Sequence, residues 1–332
     1  MTGRCATGAA RGFDPGGRDL PNSAELSERY DPDRLRAELV RLTGRYGSPL
    51  SAAVGRRVLP LISPGGDVRR VDPGGPGLQD FLPTRWLPCL PSVQDILARL
   101  PAPPRGVRLI ALSPGTRYTH LQSAKLGPPW GLCRLHLPVV GGPGTRTVFP
   151  RETLTWTPGT VWFSAAWRAH ALVNDEGHET VQLLVDVCHT AELAALFPRA
   201  LRRLLTGPGV LVHRPEVPLP PEGLRAYRCR FPLPETFANW EQPGHRLPGT
   251  AGRTTVRAEV DVRAGTPLLV LAGRPFCALQ HLGAGEFRFR GWSDERTLQV
   301  VPGHDGERHR VVLRAREGRD TYVVELPATS AE

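Results

Sequence analysis

Short apolar runs cut off by glycine and proline constrain this chain more than any other feature. "RLIAL" (108–112), "TVWF" (160–163), "VQLLVDV" (181–187), "PLLVLA" (267–272) and "YVVEL" (322–326) are each too short for a buried helix. Turn-forming residues bound them, and the chain holds 36 Gly and 35 Pro among 332 residues. Runs of four to eight residues rich in Val, Ile, Leu and aromatics between such signals form strands. A hydrophobic content of 40% is enough for a packed core. The expected class is mainly β.

Helical spacing appears in only a few places. "DPDRLRAELVRLTGRYG" sets Leu35, Leu39 and Leu42 on one face, with Asp31 or Asp33 available as cap. "SVQDILARLP" predicts a short helix with Ser92 as N-cap and Pro101 just beyond its end. "TAELAALFPRALRRLL" predicts a helix or a helix pair. Residues 1–30 hold few large apolar groups and are expected to be a flexible tail. The divisions that follow are a first domain over 31–206, a Pro-rich linker over 207–221 containing "HRPEVPLPPEG", and a β-rich unit over 222–332. Alternation in "VRAEVDVR" and "EFRFRGW" predicts sheets with one solvated face in that last unit.

A net charge of +10 raises the question of nucleic acid. Lys125 is the sole lysine, and the arginines are spread along the chain instead of gathered with aromatics, so no specific nucleic-acid partner is expected. The six cysteines show no CxxC pair or zinc-ligand spacing, which suits reduced thiols in a cytoplasmic protein. No apolar run approaches the roughly 18 residues of a membrane helix, so no membrane partner is expected. Self-association through the C-terminal unit is a further expectation.

The ten histidines are placed unevenly. His120 and His136 lie on neighbouring apolar segments, in "SPGTRYTHLQ" and "CRLHLPVV", and His170 closes "WFSAAWRAH". Two imidazoles and a carboxylate on one face of the metal make a mononuclear iron site with open positions. Residues i and i+2 of a strand share a face, so the natural second donor beside His120 is position 122, here Gln122. On residue type alone, His136 on its apolar strand reads as a satisfied core histidine.

From Leu90 to Leu196 the order "SPG…H", "RLH", "W-x-x-G" and "VDVCHTAEL" resembles the aspartyl/asparaginyl β-hydroxylase family. The resemblance implies a double-stranded β-helix, jelly-roll or cupin-like, that uses Fe(II), dioxygen and 2-oxoglutarate. It places the metal histidines on His120 and His170, and the cosubstrate contacts on Arg134 and His136. Three departures accompany it. Gln122 stands where many relatives carry Asp. Thr180 stands where the family places the arginine that pairs with the distal carboxylate of 2-oxoglutarate, and a hydroxyl supplies neither its charge nor its fork. Arg134, Arg168 and His178 are the candidate replacements. Ala165 and Ala166 stand where an acidic pair is common.

Two functions of different class follow. One is an Fe(II)/2-oxoglutarate-dependent hydroxylase acting on an unactivated C–H of an amino acid, peptidyl or carrier-bound substrate, with Gln122 as third ligand and Thr180 facing the cosubstrate. The other is a non-catalytic β-helix binding or scaffold protein whose metal site has eroded.

Overall fold

The computed structural model describes residues 20–46, 51–53, 55–121, 125–247, 254–303 and 309–331, with backbone alone at 51–53, 119–121 and 221. The first half holds β1 (Ser23–Arg29), β2 (Ser51–Ala53), β3 (Arg56–Pro64), β4 (Phe81–Pro83), β5 (Pro104–Leu112) and β6 (Arg117–Leu121). It continues with β7 (Leu132–Val140), β8 (Thr145–Phe149), β9 (Glu152–Leu154), β10 (Thr160–Ser164), β11 (His170–Asn174) and β12 (Thr180–Cys188). Helices α1 (Pro32–Tyr46) and α2 (Pro91–Arg99) flank this part, and α3 (Ala191–Ala194) and α4 (Arg199–Leu205) follow it.

An eight-stranded sheet runs β1-β10-β7-β12-β5-β3-β2, with β4 beside β3, and a four-stranded sheet runs β6-β11-β8-β9. From β5 to β12 the chain passes back and forth between the two sheets, and the pairings are antiparallel. This is a double-stranded β-helix, the jelly-roll architecture. Period-two alternation then sorts the residues of each strand. Cys133, Leu135, Leu137 and Val139 of β7, with Leu183, Val185 and Val187 of β12, join Leu35 and Leu42 of α1 and Val93 and Ile96 of α2 in the main core. The opposite face of the large sheet looks at the small sheet, where Val58, Ile110, Leu112 and Leu184 meet Leu172 and Tyr118.

The second half forms a closed barrel of β13 (Cys229–Pro234), β14 (Thr255–Arg263), β15 (Thr266–Leu271), β16 (Arg274–Gly283), β17 (Glu286–Phe289), β18 (Arg296–Val301), β19 (His309–Glu317) and β20 (Asp320–Ser330). Phe231, Leu269, Phe287, Phe289, Leu298 and Leu313 fill it, as expected of an eight-stranded barrel with no room for a channel.

Buried polar contacts join the two halves. Lys125 lies just past the His120 strand, in a left-handed conformation with φ of 58°. Its Nζ donates to Glu295 at 2.7 Å and to the Gln242 carbonyl at 2.5 Å, and sits 3.4 Å from Glu317. Trp130 Nε1 donates to Glu317 at 3.2 Å. The segment over 207–221 runs as a strap: Leu211 N donates to Pro128 O, His213 N to His189 O and Val217 N to His281 O. Arg214 on that strap pairs with both Glu286 and Asp294, each at 2.8 Å.

Two expectations need correction. Residues 1–19 lie outside the described residues, but 23–29 form a strand and not a tail: Ala24 and Leu26 bury one face as β1 pairs with β10. Ser92 is not an N-cap. Pro91 takes the first helical position, where its missing N–H costs nothing, and Ser92 inside α2 donates through N and Oγ to the buried Glu38 carboxylate. Asp31 does cap α1, its Oδ1 accepting from Asp33 N at 2.9 Å.

Lys125→Met would strand Glu295 and Glu317 without their shared ammonium. Removing one partner of a buried charge network costs about 3–5 kcal/mol. Urea unfolding should show that loss, and an unchanged midpoint would mean the clamp contributes nothing.

Candidate active site

One face of β3, β5, β7 and β12 looks toward the small sheet, and strand register decides which side chains meet there. Asp186 lies opposite Arg134, Leu184 lies between Arg108 and His136, and Thr180 lies opposite Leu112, which in turn opposes Arg56. Directly opposed residues share a face. Arg134 forks onto Asp186, Nε to Oδ1 at 2.7 Å and a terminal nitrogen to Oδ2 at 2.9 Å. Arg108 donates to the same Oδ2 at 3.0 Å. One buried carboxylate is thus shared by two buried guanidinium groups. Burial alone would raise the Asp186 pKa, but the Arg134 and Arg108 charges outweigh it and hold the carboxyl far below its ordinary range.

His136 is buried at 3% exposure and tilts against the Trp156 ring, 4.7 Å between centroids. Its Nδ1 lies 3.1 Å from Gln182 Oε1, an acceptor, so Nδ1 carries the proton. Burial, and then the Arg134 charge, push the His136 pKa down to about 3, and the ring is neutral. Its Nε2 therefore offers a lone pair, and it is buried with no hydrogen-bond partner among the described residues, as is Trp156 Nε1.

His170 opens β11 half-buried, 5.5 Å from the Phe149 ring. Its Nδ1 donates to the Arg168 carbonyl at 2.8 Å, which leaves Nε2 as the acceptor. Burial lowers its pKa as well. A neutral imidazole whose far nitrogen is held by a carbonyl is the usual arrangement of a metal ligand.

The backbone sets Leu121 opposite His170, with a register irregularity on the way to the Leu172–Tyr118 pair, so His120 sits at a bulge beside the His170 strand. The His120 side chain and all of Gln122 lie outside the described residues. Among the described residues no three His, Cys, Asp or Glu side chains cluster as a metal site. Thr180 is buried at 1% exposure, and its Oγ1 has no hydrogen-bond partner among the described residues. Of its candidate replacements, His178 is exposed, and Arg168 lies over Trp167 and donates to Asn22 Oδ1 at 2.8 Å. Ala165 and Ala166 are both buried at the turn after β10.

Sequence reasoning missed Asp186, Arg108, Gln182, Trp156 and Arg56. The signal for the first two was present: one acid in "VQLLVDVC" and one arginine in "GVRLIAL" interrupt otherwise apolar runs, and a charge buried in a strand requires a partner.

No family model matches the chain, and no curated protein matches it either. Solved structures similar to it include an oxidoreductase of the 2OG-Fe(II) oxygenase family from Burkholderia pseudomallei, 13% identical, covering 52% of this chain and 86% of that one at a TM-score of 0.37. A viral collagen prolyl hydroxylase from Paramecium Bursaria Chlorella virus-1, in complex with 2OG, is 12% identical over 51% of this chain and 97% of that one, TM-score 0.35. A Pseudomonas putida prolyl-4-hydroxylase is 13% identical over 51% and 93%, TM-score 0.34. These likenesses are distant, and the strand order defines the fold without them. The narrower aspartyl/asparaginyl resemblance rests on the sequence motifs alone.

The donors present fit the group that resemblance implies. His170 presents a neutral Nε2, Thr180 Oγ1 is buried without a partner among the described residues, and the guanidinium groups suit a carboxylate.

Asp186→Asn removes the charge that holds Arg108 and Arg134 and should cost about 3–5 kcal/mol at neutral pH. Because the folded-state pKa is depressed, the stability from Asp186 is complete above its unfolded value of about 3.9 and is lost as pH falls below that. Stability measured against pH should therefore decline more steeply below about pH 4 in the wild type than in Asp186→Asn. Parallel acid limbs would contradict the pairing.

Proposed function

We propose that this protein is an Fe(II)/2-oxoglutarate-dependent dioxygenase that hydroxylates an unactivated C–H of an amino acid, peptidyl or carrier-bound substrate. The observation that carries the reading is His170: a neutral imidazole at the start of β11, its Nδ1 fixed by the Arg168 carbonyl, beside the strand that carries His120. His120 and His170 would hold the iron, with Gln122 as third ligand through its amide oxygen. Arg134 and His136 would contact the cosubstrate, Arg134 through its guanidinium and His136 through a bound water that donates to its Nε2. Iron, 2-oxoglutarate and dioxygen together supply C–H hydroxylation, with the oxo acid leaving as succinate and carbon dioxide. The chain's own task is to orient these groups and keep water out. Trp156 and Trp162, stacked with 6.2 Å between centroids, cover His136, which lies 4.7 Å from the Trp156 ring.

The scaffold reading has one specific observation in its favour. Asp186 already engages the Arg134 fork, so a ligand must share that guanidinium or use another.

Anaerobic calorimetry decides between them. The wild type should bind about one Fe(II) per chain, since imidazole nitrogens suit that ion. His170→Ala should lose the binding while keeping the wild-type unfolding midpoint within about 1 kcal/mol, as expected for a half-buried side chain. No Fe(II) binding by the wild type at micromolar concentration would leave the scaffold.

A further inference from the structure

We infer that the barrel seam between β13 and β20 is a binding site for an aryl phosphate monoester, with Arg230 and Arg257 holding the phosphate and the seam taking the flat apolar body. The inference goes beyond the oxygenase reading and does not depend on it.

The barrel closes where β13 meets β20, yet the two strands pair only at Cys229 with Ser330 and Arg230 with Thr329. Continuing that antiparallel register would set Phe231 opposite Ala328 and Pro232 opposite Pro327. Proline has no N–H to give to a ladder, so two prolines face to face end the pairing. A cleft of about 810 Å³ opens there, lined by Phe231, Pro232, Pro327 and Ala328 together with Arg230 and Arg257. Small-molecule pockets span about 300–1,000 Å³. Phe231 and Ala328 are buried in the barrel core and give the cleft an apolar floor, while Pro232 and Pro327 are exposed and form its walls. An aromatic body suits that floor, where Phe231 offers a ring to meet offset or edge-on.

Register also sets the polar rim. Arg257 of β14 opposes Pro232, Thr255 opposes Pro234, and Thr329 opposes Arg230, so all emerge on the outer face around Pro232. Glu259 and Glu325 on this face are already engaged, Glu259 by Arg230 Nε at 3.3 Å and Glu325 by Arg310 at 2.8 Å. Arg257 is exposed and has no carboxylate partner among the described residues, so the rim carries surplus positive charge. The Arg230 side chain is 47% exposed, and an ion pair of that kind contributes little, so it yields to a ligand of higher charge. Two guanidinium groups and two hydroxyls match a phosphate dianion, with its three acceptor oxygens, better than a single carboxylate. An added peptide strand is the poorer occupant, because it needs N–H donors where these edges present proline.

The test titrates 2-naphthyl phosphate calorimetrically into the metal-free full chain at about 150 mM salt, which screens long-range attraction. Inorganic phosphate and 2-naphthol, the two halves of the ligand, are titrated beside it. The wild type should bind the ester at least about tenfold more tightly than either half. Arg257→Gln should weaken the ester on the order of tenfold to a hundredfold, the worth of a charge-assisted hydrogen bond, and leave 2-naphthol unchanged. Because Arg257 is exposed, that variant should keep the wild-type unfolding midpoint. Arg310→Gln, which removes an equal charge one strand beyond Pro327, should bind the ester as the wild type does. Inorganic phosphate binding as tightly as the ester would show an adventitious ion only and overturn the site. An equal loss in Arg310→Gln would reduce the binding to diffuse charge attraction, and no binding of the ester by the wild type at millimolar concentration would overturn the inference outright.

Discussion

Asp186 is the point on which the interior of the β-helix turns. It sits on the central strand of the large sheet and takes the Arg134 fork from one side and Arg108 from the other. Three adjacent strands are thus tied at one carboxylate, in a buried interior where an unpaired guanidinium would be costly. The arrangement fixes the Arg134 plane and sets the charge of that interior. Beside it His136 is kept neutral, because burial and the Arg134 charge both oppose a second cation. The same field that excludes an imidazolium is favourable to an incoming carboxylate.

The two imidazoles then fall into complementary states. His136 donates its Nδ1–H to Gln182 Oε1 and His170 donates its Nδ1–H to the Arg168 carbonyl, so each offers Nε2 as an acceptor. Past β6 the chain is held to the barrel at Lys125 by Glu295 and Glu317 and at Trp130 by Glu317. The barrel anchors the far end of the segment that carries His120 and Gln122, and that is a physical reason for a filled, closed barrel to follow the β-helix.

Much of the fold was legible because burial on both faces writes continuous apolar runs into the strands, as in "VQLLVDV" of β12 and "LCRLHLPVV" of β7. The strand β1 was not, since an edge strand needs only Ala24 and Leu26 to cover one face and reads as polar. His170 stood out because an apolar segment ends on it after a glycine turn. Asp186 was visible as a charge inside an apolar run, but its partners depend on register between strands far apart in sequence. Arg56 was less legible still. Whether it or Arg57 faces the small sheet depends on the phase of β3, and a single-residue slip would exchange their roles. Ser92 misled because it suits an N-cap, while the proline before it determines where α2 begins.

The central claim is that the β-helix interior binds a metal and an oxo acid side by side, and anomalous diffraction tests it most directly. Crystals grown under nitrogen with Mn(II) and 2-oxoglutarate should show one strong anomalous peak within coordination distance of His170 Nε2, about 2.0–2.3 Å. The oxo acid should lie between that peak and the Arg134 guanidinium. Manganese found only at surface carboxylates, with an intact and empty β-helix interior, would contradict the account.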